Sequence, residues 1–141
     1  MKKFITLTCI VFYAIASNAQ STGDYQSKKT GNWTDVTVWQ RYNGTKWVSA
    51  SAYPTSSDGV ITISDLTTVT VNANITIDQT VVAAGGALSL VSNYTISLNN
   101  TPGDDLSVNG RMNWFSGNID GAGSMAINGT CDWTGGNLRL H

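Results

Sequence analysis

The stretch Val108-Asn109-Gly110-Arg111-Met112-Asn113-Trp114 returns nineteen positions later as Ile127-Asn128-Gly129-Thr130-Cys131-Asp132-Trp133. Each copy leads into a Gly-Asn-apolar step, Gly117-Asn118-Ile119 and then Gly136-Asn137-Leu138. A period this short makes each unit one coil of a stack, because a single unit cannot bury its apolar face and must be covered by the coils on either side.

Carrying the register backwards aligns Val69, Leu88, Leu106 and Met125 in one apolar column and Val71, Leu90, Val108 and Ile127 in a second, with polar or small residues between. Alternation with period two marks strands with one buried face. Beyond the next corner, Ile75, Tyr94, Met112 and Cys131 are expected to stack, as are Ile77, Ile96, Trp114 and Trp133, and Val82, Ile119 and Leu138 suggest a third short side. Ala84-Gly85-Gly86 and Gly121-Ala122-Gly123 supply the turns into the next coil. No segment between residues 20 and 141 carries a helical period. The fold expected is therefore all-β: a right-handed parallel β-helix, or β-solenoid, with coils of about nineteen residues, right-handed winding being the rule for parallel crossovers.

The two ends differ. Residues 1–19 read as a secretory signal peptide: Lys2 and Lys3, an apolar run from Phe4 to Ala16, and small residues at Ser17 and Ala19 before Gln20. Export to the outer surface or the medium follows as an expectation, and Cys9, inside the apolar run, does not sit in a lipidation motif. Residues 20–59 lack the repeat and concentrate aromatics (Tyr25, Trp33, Trp39, Tyr42, Trp47, Tyr53), with Asn43-Gly44 predicting a type I′ hairpin between Trp39–Tyr42 and Thr45–Val48. This block is expected to cap the solenoid of residues 60–141. The sequence closes on Leu138-Arg139-Leu140-His141 within a repeat, so further coils of a longer parent chain are the expected cover for that edge, in preference to another chain or a second copy.

Gly31-Asn32-Trp33-Thr34-Asp35, Val38-Trp39, Gly44-Thr45-Lys46-Trp47, Tyr53-Pro54 and Asp58-Gly59-Val60-Ile61-Thr62-Ile63 together resemble the start of large exported surface proteins of Gram-negative bacteria. In those proteins a Trp- and Gly-spaced block leads into parallel β-helix repeats. The same residues look distantly like the G8 domain, a Gly-rich module of short strands. The resemblance spans about Tyr25 to Leu98, with Gly59-Val60 standing where those proteins usually have Thr-Val. It implies an adhesin-like or carbohydrate-associated surface role.

Composition offers little for catalysis. All nine acidic residues are Asp, and the single His is the terminal His141, so a Ser/His/Asp arrangement would have to recruit that one residue and zinc has no ligand set. Asp104 and Asp105 are adjacent after Thr101-Pro102-Gly103 and read as solvated turn residues, since a glycosidase needs two carboxyls facing one sugar at about 5 to 9.5 Å. An isolated calcium ion there is the functional alternative, and no cofactor is expected. Cys131 is expected to be buried and inert. Without the leader, six basic residues face nine acidic ones, a balance that argues against nucleic acid and anionic membranes.

Binding candidates are Trp39 and Trp47 as exposed cap aromatics, and Asn109 and Asn128, which share a corner column with Asn72. That column reads first as a structural amide ladder and second as a sugar-binding strip, while Trp114 and Trp133 are expected to point inward. The functional expectation is a non-enzymatic, exported, adhesin-like segment with a structural or carbohydrate-binding role and extracellular glycans or cell-surface partners. The alternative is the non-catalytic N-terminal part of a β-helical polysaccharide lyase or glycoside hydrolase.

Overall fold

The computed structural model describes residues 19–141, so the leader expected over residues 1–19 lies, Ala19 apart, outside the described residues. The chain is a parallel β-solenoid of about four turns, three strands to a turn. The first turn holds β5 (Ile61–Ile63), β6 (Thr68–Thr70) and β7 (Ile75–Ile77), and the second β8 (Thr80–Val82), β9 (Ala87–Leu90) and β10 (Thr95–Leu98). β11 (Leu106–Val108), β12 (Arg111–Trp114) and β13 (Asn118–Gly121) make the third; β14 (Met125–Ile127), β15 (Thr130–Trp133) and β16 (Asn137–Leu140) make the fourth. Ahead of them, β1 (Tyr25–Ser27) and β2 (Gly31–Asn32) pair in parallel with β5 and β6, so the cap begins the sheets as well as covering them.

A 3-10 turn at Val36–Val38, opened by Asp35 accepting from the Thr37 N–H, leads into the hairpin of β3 (Trp39–Tyr42) and β4 (Trp47–Ser49). β3 folds back antiparallel on β1. The hairpin is where the sequence placed it, but its turn is shifted by one residue. Asn43 and Lys46 face each other, Gly44 at φ +95° and Thr45 form the centre, and Thr45 is not at positive φ, which rules out type I′. The Asn43 Oδ1 accepts from the N–H groups of Thr45 and Lys46 and holds this Gly-first turn.

The repeat assigned from sequence holds between the third and fourth turns: Leu106 pairs with Met125, Met112 with Cys131, Trp114 with Trp133 and Ile119 with Leu138. It also holds for Val69 and Leu88. Between the second and third turns the expected columns are wrong. Leu88 lies beside Met112 rather than Leu106, Leu90 beside Trp114 rather than Val108, and Ile96 beside Ile119 rather than Trp114. Ile75 pairs with Ile96 rather than Tyr94, Ile77 with Leu98 rather than Ile96, and Val82 with Ile63 and Val108 rather than with Ile119. The partner of Leu106 is Thr80, twenty-six residues earlier, because the second turn is longer by two residues between Leu88 and Ile96 and by five more in the excursion after Leu98. All three sides carry the same apolar alternation, so a uniform spacing of about nineteen slides one side of the triangle onto the next without breaking any pattern.

The core runs as one cluster from Tyr25, Trp33 and Trp39 to Met112, Trp114 and Ile119. Its corners are closed by a recurring device. At or near a strand end, most often just before the strand begins, a side chain accepts a backbone N–H of the next turn: Asp24 from Val60 (3.0 Å), Ser27 from Ser64 (2.8 Å), Thr30 from Thr68 (3.0 Å), Asp65 from Gly85 (2.8 Å), Asn74 from Thr95 (2.9 Å) and Asp105 from Ser124 (2.7 Å). Short polar side chains are suited to this because buried amides need a partner where the ladder is interrupted.

Candidate ligand-binding groove

The outward positions of the seven-stranded sheet, order β14-β11-β8-β5-β1-β3-β4, place Gln26, Thr62 and Val81 in one row across β1, β5 and β8. The hairpin brings Trp47 beside that row, and Ala19, Gln20, Asp24 and Val60 complete a groove of about 540 Å³. Trp47 is half-buried and held edge-on by Tyr42, ring centroids 5.4 Å apart. The Gln26 amide donates to Gln40 Oε1 at 3.2 Å, which fixes its orientation on the groove floor. Of the groove's residues only Asp24 carries a carboxylate, and it is buried with both oxygens engaged, one by the N–H of Ser21 and the other by that of Val60. The groove thus combines a fixed indole, an amide and a hydroxyl, the chemistry that stacks and hydrogen-bonds a polar ring.

Trp39 does not belong to this surface. It is fully buried, packs edge-on against Trp33 (5.1 Å) and Tyr25 (6.5 Å), and donates its Nε1–H to the Trp33 carbonyl at 2.8 Å. The expectation of an exposed platform fails there because hairpin faces alternate and the Trp39 face is the one turned to the core. Asn109 and Asn128 are both exposed and joined, Asn128 Nδ2 donating to Asn109 Oδ1 at 3.0 Å, but neither lines the groove. Asn72 is not in their column; it sits at the corner after β6, bonded to Thr34. A second amide ladder, unforeseen from sequence, links Asn137 to Asn118 at 3.0 Å.

Asp104 and Asp105 separate in the way adjacent residues should, though not both into solvent. Asp104 is exposed, whereas Asp105 is 1% exposed under Gly123, with Oδ2 on the Ser124 N–H. Asp105 is a corner acceptor and not a solvated turn residue. Asp120 lies beside His141 (3.3 Å), and Asp132 pairs with Arg111, so neither faces another carboxylate in those contacts. Among the described residues no three His, Cys or Asp side chains gather as a metal ligand set.

Cys131 is half-buried, short of the full burial expected, since it lies in the last turn; burial first, then the charge of Asp132, pushes its thiol above the ordinary range. Trp114 points inward as expected, and Trp133 stacks on it (4.7 Å, 7°), yet Trp133 is 53% exposed. A second, smaller cleft of about 290 Å³ lies between Tyr53–Ser56 and Asn74–Thr76. Gln26 and Thr62 are not among the binding candidates read from sequence; their outward parity next to buried Tyr25, Ser27, Ile61 and Ile63 is the signal that could have found them. No helix among the described residues is long and apolar enough to cross a membrane. In comparisons with protein-family models, curated proteins and solved structures, nothing matches this chain.

Proposed function

We propose that the chain is a non-enzymatic, exported segment of a cell-surface β-solenoid, adhesin-like in role, that holds extracellular glycans in the Trp47 groove. The observation that supports it best is the fixed indole of Trp47 beside Gln26 and Thr62, in a groove whose one carboxylate is tied to backbone amides. Such a site has a stacking surface and hydrogen-bonding groups without a free acid and base, and so favours binding over turnover. Export rests on the leader pattern of residues 1–19, and the surface role on the Trp- and Gly-spaced resemblance of residues 25–98.

A glycan array probed with the parent chain, Trp47→Ala and the double variant Asn109→Ala/Asn128→Ala tests the reading. Signal is expected with the parent, a drop of at least about tenfold with Trp47→Ala, in keeping with the loss of a buried aromatic anchor, and no change with the Asn pair. Equal signals from parent and Trp47→Ala would remove the groove from consideration. Release of reducing or unsaturated ends from a polysaccharide panel would contradict the non-enzymatic reading.

A further inference from the structure

The fourth turn exposes the side chains that every earlier turn buries. Ile127, Trp133 and Leu138 are 38, 53 and 40% exposed, while their partners one rung below, Val108, Trp114 and Ile119, are 0, 1 and 0% exposed. Leu140 adds a fourth apolar group, 43% exposed. β14, β15 and β16 are each the last strand of their sheet, so all three sheets end on the same turn. In each amide ladder the upper Asn donates to the one below, which leaves the Oδ1 of Asn128 and of Asn137 as the acceptor for a next rung.

The corners say what can lie on this face. A Cβ on Gly129 would strike the carbonyl oxygen of Gly110, and one on Gly136 would strike that of Gly117. The same is true one turn lower, where a Cβ on Gly110 would strike the Gly86 carbonyl and one on Gly117 the Tyr94 carbonyl. In the third and fourth turns both corners therefore carry glycine, where a Cβ would press on the carbonyl one rung below; the second turn has Gly86 at the first corner and Tyr94 at the second.

We propose that the exposed face of the fourth turn is a stacking surface for one more coil of the same kind, parallel and in register. That coil carries glycine over Gly129 and Gly136, a flat or branched apolar side chain over Trp133, and an amide donor over Asn128 and Asn137. The occupant follows from continuity, because the interface it completes is the one already formed between the third and fourth turns at a spacing of nineteen residues on all three sides. A second copy fits less well. Its first turn is closed by the cap, and a head-to-head pair would run antiparallel, taking the amide ladders and glycine corners out of register. This extends the reading of the chain as a segment of a surface solenoid and is independent of glycan binding, so a blank glycan array leaves it standing.

The test appends a second copy of residues 123–141 directly after His141, which continues the nineteen-residue spacing. A control extension has valine in place of the two glycines that copy Gly129 and Gly136. With the glycine version, the tryptophan emission assigned to Trp133 by difference from Trp133→Phe should move to the blue, and the thermal midpoint should rise by at least about 5 °C; the valine version should do neither. Equal behaviour of the two extensions, or no change with either, would overturn the proposal. So would sedimentation of the unextended chain as a dimer in which the Trp133 emission is already blue.

Discussion

The two ends of the stack use the same kind of residue and reach opposite outcomes. At the capped end Trp33, Val38 and Trp39 are fully buried, because β1 and β2 extend the sheets and the β3–β4 hairpin folds back over them. At the open end Trp133, in line with buried Trp114 and stacked on it, is half exposed. Burial in a solenoid is thus a property of the neighbouring turn more than of the residue, and the energetic weight of a column should fall off sharply at its last rung.

The largest difference is expected between Trp114 and Trp133. Trp114→Ala should cost about 3–5 kcal/mol, as for a fully buried aromatic, and Trp133→Ala no more than about 1 kcal/mol, since half its surface is already in water. Urea unfolding of the two variants checks this, and equal costs would mean that the last turn is as well covered as the third.

The glycine corners come next. Gly110→Ala would press a methyl group against the carbonyls of Ala83 and Gly86 and should cost about 2–3 kcal/mol. Gly129→Ala meets the carbonyls of Gly110 and Asn109, but the turn that carries it has no strand beyond it and can move away, so about 1 kcal/mol is expected. Thermal midpoints of the two variants read the difference.

The smallest effects are titrations, one at each end. In the open turn the Cys131 thiol is held above its ordinary value of 9.0, first by burial and then by Asp132. The folded state favours the neutral thiol, so its contribution is present below about pH 9 and is lost as pH rises through the folded value. Alkylation by iodoacetamide at pH 8 should accordingly be slower in the folded chain than in urea. In the cap, Asp35 is held below its ordinary 3.8, first by the Thr37 hydroxyl, then by the Thr37 N–H, and also by Lys29. Its contribution is present above about pH 3.8 and is lost as pH falls through the lower folded value, with the sign opposite to that of Cys131. Comparing acid titration of the parent with that of Asp35→Asn tests it, and the difference should be small because the group is at the surface.

Much of this architecture is legible in the residues themselves. Alternation with period two, Gly and Asn at the corners and the exact return of the Asn-Gly step specify strands, turns and stacking between residues 106 and 141. What was lost is register in the middle of the stack. Ile61–Ile63, Val69–Val71 and Ile75–Ile77 present the same pattern on three different sides, and the longer excursion after Leu98 shifts the phase without disturbing it. Thr80, fully buried in the column of Ile61 and Leu106, hides the match further because it looks like an outward residue. At the candidate site Trp47 could be named, but which face of the hairpin meets the core depends on the packing of Trp39 against Trp33 and Tyr25, which local pattern does not encode. Asp105 is opaque to sequence for a related reason: its role as a corner acceptor exists only once the next turn brings Ser124 above it.

Side-chain proximity measured by NMR reports the order in which the turns stack. In-register neighbours on adjacent strands lie about 5 Å apart, so nuclear Overhauser contacts are expected from the Leu88 methyls to the Met112 methyl, from Leu106 to the Thr80 methyl, and between Ile96 and Ile119. Contacts from Leu88 to Leu106 and from Ile96 to Trp114 in their place would contradict the stacking described.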